Sequence, residues 1–138
     1  MRNIDFIAIH CTAGQPNQTT KSILDYWKNV LKWKSVGYHY LINADGSVEQ
    51  LAKEYEITNG VAGFNSKCIH ISYKGGIDKL GKPMDTRTEA QKKSMHNLLL
   101  SLRKRYPKAI IQGHMDFPNV KKACPSFDVK KWLKEIGM

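Results

Sequence analysis

Five histidines and three cysteines carry most of the chemistry this 138-residue sequence offers. His10 and His114 each stand at the end of a short apolar run, Ile4–His10 and Ala109–Gly113. Such runs read as buried strands, and in open α/β sheets functional groups collect where strands end. Cys124 follows His114 by ten residues, in the connection leaving the second strand. Two imidazoles and one thiolate make three protein ligands, which suits a catalytic zinc whose fourth position is left for water. The spacing matches no local zinc-finger pattern, so two hydrogen-bonded histidines and a buried thiol remain the alternative.

A second pair competes. Cys68 and His70 lie two apart on an apolar segment, so a strand would put them on one face. They sit inside that segment rather than at its end, which favours core or inter-strand contacts. His39 lies between Tyr38 and Tyr40, which point to the opposite face, and reads as a hydrogen-bonded sheet residue. His96 has polar neighbours in a helical pattern and reads as solvated.

The elements that position these residues follow from periodicity. Ile4–Cys11 fills both alternating sets with apolar residues, as a strand buried on both faces does. Thr20 is placed to cap a helix from Lys21 to about Lys32, with Ile23, Leu24, Trp27, Val30 and Leu31 at helical spacing. Asp45-Gly46 lies between the strand-like runs Gly37–Ile42 and Ser47–Leu51, a hairpin signal. Cys68–Tyr73 is a further strand, stopped by Gly75-Gly76. Thr88 with Gln91 three residues on predicts a capping box for a helix reaching about Tyr106, and Met95, Leu98, Leu99 and Leu102 form its apolar stripe. Ala109–Gly113 is a last strand, and Val129–Ile136 a terminal helix. Loose alternation of strands and helices with one hairpin predicts an α/β fold: a single domain over 1–138, with a mixed central sheet flanked by helices.

Lysine and arginine outnumber acids 22 to 12, for a formal charge of +10. That excess draws polyanions, and nucleic acid, an anionic wall or a membrane surface would each satisfy it. No zinc-finger, RNP or basic-helix pattern supports nucleic acid as the partner. No stretch approaches the roughly 18 apolar residues of a membrane span. The N-terminal residues have no long apolar core or small-residue cleavage site, so no signal peptide is expected and synthesis would place the chain in the cytoplasm. Three cysteines without an export signal favour free thiols or a metal ligand over a disulfide framework.

Three blocks then take on a collective meaning. Ile9-His10-Cys11-Thr12-Ala13 follows a strand, Val36-Gly37-Tyr38-His39-Tyr40 precedes Asp45-Gly46, and Gly113-His114 precedes Lys122-Ala123-Cys124-Pro125-Ser126-Phe127-Asp128. In this order, over nearly the whole chain, they resemble the zinc-dependent N-acetylmuramoyl-L-alanine amidases, which include amidase-type phage lysozymes and peptidoglycan-recognition proteins. The last block resembles the phage lysozyme branch most. The resemblance implies one zinc held by His10, His114 and Cys124, with Tyr38 and Lys122 at the positions of the family's catalytic tyrosine and lysine. It implies hydrolysis of the amide joining N-acetylmuramic acid to L-alanine, with peptidoglycan as partner, a monomer without a membrane span, and action on the wall after release or export.

Two departures from the family's pattern fall mid-chain. Where members often carry a histidine before an Ala-x-Gly-x-Asn stretch, this chain reads Asn59-Gly60-Val61-Ala62-Gly63-Phe64-Asn65. Where the next strand often reads Ser-Ile-Gly, it reads Cys68-Ile69-His70. Both lie near the expected substrate groove, where they bear on stem-peptide specificity, and neither touches the metal ligands. A non-catalytic peptidoglycan-binding module is the second functional reading. Recognition proteins of that type typically lack the cysteine ligand, whereas Cys124 is present here.

Overall fold

A computed structural model describes residues 2–138 of the chain. Its strands are β1 (Phe6–Cys11), β2 (Tyr40–Ile42), β3 (Val48–Gln50), β4 (Cys68–Tyr73) and β5 (Ile110–Gly113), in the sheet order β3-β2-β4-β1-β5. β1 runs parallel to both β4 and β5, and β2 runs parallel to β4; only β3 is antiparallel, as the return strand of the hairpin. The mixed sheet expected from the sequence is therefore present.

Alternation along the central strands divides the molecule into two faces. Ile7, Ile9 and Cys11 of β1 and Ile69, Ile71 and Tyr73 of β4 point into one core. It is closed by Met95, Leu99 and Leu102 of α2 (Glu89–Arg105) and by Val129 and Trp132 of α3 (Val129–Glu135). Burying a branched aliphatic side chain contributes about 1.5–3 kcal/mol, so this face anchors the fold. The opposite set, Ala8 of β1 and Cys68 of β4, packs with Val61 and Phe117 from loops. His10 and His70 share that second face by the same two-residue period.

α2 begins with the expected capping box: Thr88 Oγ1 accepts from the Gln91 amide at 3.0 Å, and Gln91 Oε1 accepts from the Thr88 amide at 2.9 Å. Gln91 is also fully buried, and its Nε2 donates to the carbonyls of Ile42 and Lys74, tying the helix to the ends of β2 and β4.

The first helix differs from its sequence pattern. It is short, α1 (Thr20–Asp25), and its cap is Thr19 rather than Thr20: the Ser22 amide donates to Thr19 Oγ1 at 3.2 Å, while the Thr20 hydroxyl turns to Glu49. A wider π-helical turn, Tyr26–Val30, follows it. The chain then folds back, with the Trp33 amide donating to the Trp27 carbonyl at 2.9 Å. This leaves Val30 60% and Leu31 39% exposed, although helical spacing puts them on the apolar stripe. Packing of Trp27 against Trp33 and Leu41 has overridden the regular helix.

Candidate active site

His10 lies at the C-terminal end of β1, and His114 opens the single 3-10 turn that leaves β5. β1 and β5 are adjacent and parallel, so their ends bring the two imidazoles together with ring centroids 4.8 Å apart. Cys124 arrives from the connection after β5. Its Sγ accepts from the Cys11 amide at 3.2 Å and lies 4.0 Å from His10 Nδ1. The loop is held close by Tyr73, whose hydroxyl donates to the Pro125 carbonyl at 2.6 Å, and by Ser126, which donates to the Gly76 carbonyl at 2.8 Å. Gly113 permits that approach, because a Cβ there would stand 2.8 Å from Pro125 Cδ.

The ligand atoms of His10, His114 and Cys124 all lie within 4.8 Å of one another. A tetrahedral ion with bond lengths of about 2.0–2.3 Å to nitrogen and sulfur would place its ligand atoms about 3.3–3.8 Å apart. The trio stands somewhat wider than that, with separations of up to 4.8 Å. The two imidazoles are already in the form that binds a cation. Burial, then His70, His114 and Lys122, hold His10 neutral with a pKa well below the usual imidazole value. His114 is lowered to about 4 by burial and by Lys122. The Cys124 thiol is pushed up by its hydrogen bond with Cys11 and by burial. Two neutral imidazoles are ready to ligate, and the Cys124 thiol would give up its proton on binding an ion.

Tyr38 stands at the rim with its ring 5.1 Å from that of His10, and its hydroxyl donates to the Cys11 carbonyl at 3.2 Å. Burial, then the neighbouring Cys124 sulfur, pushes the phenol up, so it stays protonated and acts as a donor. Lys122 is exposed and lines the same cavity, of about 410 Å³, as His10, Tyr38, His114 and Cys124. Trp27 and Trp33 form its apolar wall. A second groove shares Trp33, Gly60, His114 and Lys122 with this cavity and continues past Phe64 and Asn65.

The five residues that the sequence resemblance singles out come together in one cavity. The rival pair falls outside the single cluster of three or more such donors among the described residues, which is His10, His114 and Cys124. Cys68 is fully buried among Ala8, Val61 and Phe117. His39 lies one residue before β2 rather than in the sheet, but it is hydrogen-bonded to it: its Nδ1 accepts from the His70 amide at 2.9 Å, which leaves Nε2–H to donate to the Glu56 carbonyl at 2.8 Å. His70 is the residue that sequence reasoning undervalued. Its ring touches His10, with His70 Nδ1 and His10 Nε2 separated by 2.9 Å. Parallel register set that contact, and spacing within β4 alone gives no sign of it.

The family model described as N-acetylmuramoyl-L-alanine amidase matches residues 1–127. The endolysin of Escherichia phage T7 is 36% identical over 132 residues, covering 95% of this chain and 86% of that protein. The endolysin of Enterobacteria phage K11 is 36% identical over 127 residues, covering 91% and 83%. Among solved structures, the Ph2119 endolysin from a Thermus scotoductus bacteriophage superposes with a TM-score of 0.83 at 27% identity, covering 99% of this chain and 86% of that one. A family match that includes both histidines, Tyr38, Lys122 and Cys124, joined to endolysin similarity over nine-tenths of the sequence, shows that the chain belongs to the N-acetylmuramoyl-L-alanine amidase family.

Proposed function

We propose that this amidase holds one zinc ion on His10, His114 and Cys124, and that Tyr38 and Lys122 assist cleavage of the amide between N-acetylmuramic acid and L-alanine in peptidoglycan. The observation that carries this is the convergence of the three donors at the floor of a groove with Tyr38 and Lys122 on its walls. Bound zinc supplies Lewis acidity and a water with a pKa near 7, which is what amide hydrolysis at neutral pH requires.

The remaining work falls to the chain. Negative charge grows on the amide oxygen during attack, and an ammonium fixed beside it stabilises that charge more than it stabilises the ground state. Lys122, two residues before Cys124 and lining the same cavity, supports that reading. The Tyr38 hydroxyl, protonated and at the rim, offers a second donor to the same oxygen or to the attacking water. Trp27 and Trp33 supply an apolar wall against which part of the substrate can pack, excluding water from one side.

The reading extends to the whole chain as one catalytic unit, 1–138, acting as a monomer on the cell wall. A charge of +10 attracts the anionic wall. No helix among the described residues is long and apolar enough to cross a membrane. The test is metal content with product analysis. Purified protein should carry close to one zinc, a strong chelator should abolish wall lysis, and zinc should restore it. Digestion should release stem peptides with a free L-alanine amino group and leave glycan strands intact. New reducing sugar ends, or full activity in zinc-free protein, would overturn the reading.

A further inference from the structure

The contacts around His70 fix where its protons sit. The backbone amide of Val61 donates to Asn65 Oδ1 at 2.8 Å, and because an amide N–H only donates, that atom is the carboxamide oxygen. His70 Nε2 lies 2.9 Å from the same oxygen and so carries the hydrogen between them. His70 is fully buried and its side-chain partners are His10 and Asn65, neither of them a carboxylate, so its ring is neutral. A neutral imidazole protonated on Nε2 has a lone pair on Nδ1. His10 Nε2, 2.9 Å from that lone pair, must be the donor. His10 is left with its own lone pair on Nδ1, the atom that faces Cys124 Sγ.

We propose that His70, oriented by Asn65, is a positioning residue that holds His10 in the tautomer and ring orientation needed to bind the metal, and that Gly60 is its counterpart, leaving room for the ring. This rests on the reading of His10 as a metal ligand. Gly60 has a direct steric reason: a Cβ there would lie 2.3 Å from His70 Nδ1 and 2.4 Å from its Cγ. A side chain at 60 and an imidazole at 70 therefore compete for one volume. The two mid-chain departures from the family's pattern, glycine where histidine often stands and histidine where glycine often stands, become one exchange. The imidazole in that volume comes from strand β4 instead of from the loop before it.

Groups that hydrogen-bond the far nitrogen of a metal-binding histidine typically account for 10–100-fold in metal affinity. The experiment is zinc affinity of the full chain by competition with a chelator, read beside thermal unfolding of the metal-free protein. His70→Gly should weaken zinc 10–100-fold. Gly60→His alone, with two rings in one volume, should lose both stability and zinc. The double variant Gly60→His/His70→Gly should regain most of the affinity lost by His70→Gly. Asn65→Leu removes the acceptor that orients His70 and should weaken zinc as His70→Gly does. A nitrogen-15 spectrum of His10 in metal-free wild type should show Nε2 protonated and Nδ1 bare, and it needs no variant to fold. Unchanged affinity in His70→Gly, a double variant no tighter than His70→Gly, or a proton on His10 Nδ1 would overturn the proposal. Wild type that binds no zinc would instead remove the metal reading, while the spectrum still decides the tautomer.

Discussion

The amide of Cys11 donates to the sulfur of Cys124 at 3.2 Å, joining the central strand to a loop 113 residues further along the chain. That N–H offsets only part of the Cys11 side-chain contact and the burial that raise the thiol, and it holds Sγ beside His10. Cys124→Ser should therefore lose zinc and activity together, because a hydroxyl is a far poorer zinc ligand. Cys68→Ser, in a separate apolar cluster, should keep zinc and lose only stability. Metal analysis of the two proteins side by side checks this. Retention of zinc by Cys124→Ser with loss from Cys68→Ser would misplace the site.

Lys122 separates catalysis from simple attraction to the wall. Lys122→Ala should leave folding and zinc content unchanged and cost on the order of 10²–10³ in rate, mainly in kcat. Lys121, which lines the neighbouring groove and not the cavity of the trio, is the internal control. On a soluble muropeptide, which lacks the polyanionic wall, Lys121→Ala should change little. Equal, modest losses from both substitutions would remove Lys122 from the catalytic set.

Tyr38→Phe deletes one hydroxyl and keeps the ring that packs on His10 and Trp27. Stability should fall by about 1 kcal/mol or less, the net value of one hydrogen bond to the Cys11 carbonyl. Zinc should remain bound, and kcat should drop on the order of 10² if the hydroxyl stabilises charge in the transition state. Unaltered kcat would reduce Tyr38 to a wall of the groove.

Away from the site, Glu54 predicts an acid dependence of stability. Burial alone would raise its carboxyl, but hydrogen bonds from Arg105, Tyr40 and Tyr106 outweigh that and hold it below the usual glutamate value of 4.5. A depressed carboxylate contributes stability that is full above the unfolded value and fades as pH falls through the folded one. Glu54→Gln should thus be destabilised at neutral pH by about 1–2 kcal/mol, allowing for the half-exposed Arg105. Denaturant melts of both proteins should converge as pH drops from 6 toward 3. A difference that stays constant over that range would mean the carboxylate charge is not what stabilises the cluster.

Much of this architecture is written in local pattern. β4, the capping box of α2, the hairpin at Asp45-Gly46 and α3 depend on residues close in sequence, and all of them appear where expected, although β2 starts at Tyr40, three residues inside the run expected from Gly37. His10, Tyr38, His114, Lys122 and Cys124 stand in short blocks that single them out through their resemblance to the amidase family. What only the tertiary structure decided lies between elements. The break of the first helix into a π-helical turn depends on Trp27 meeting Trp33 and Leu41, contacts that outweigh helical spacing. The link from His70 to His10 depends on parallel register between β1 and β4, which places Ala8 opposite His70 and so brings the two imidazoles to one face. Periodicity states which face of a strand a residue takes, and it says nothing about which strand lies alongside. The partner of a buried histidine is set by that second choice, made in the packing of the whole sheet.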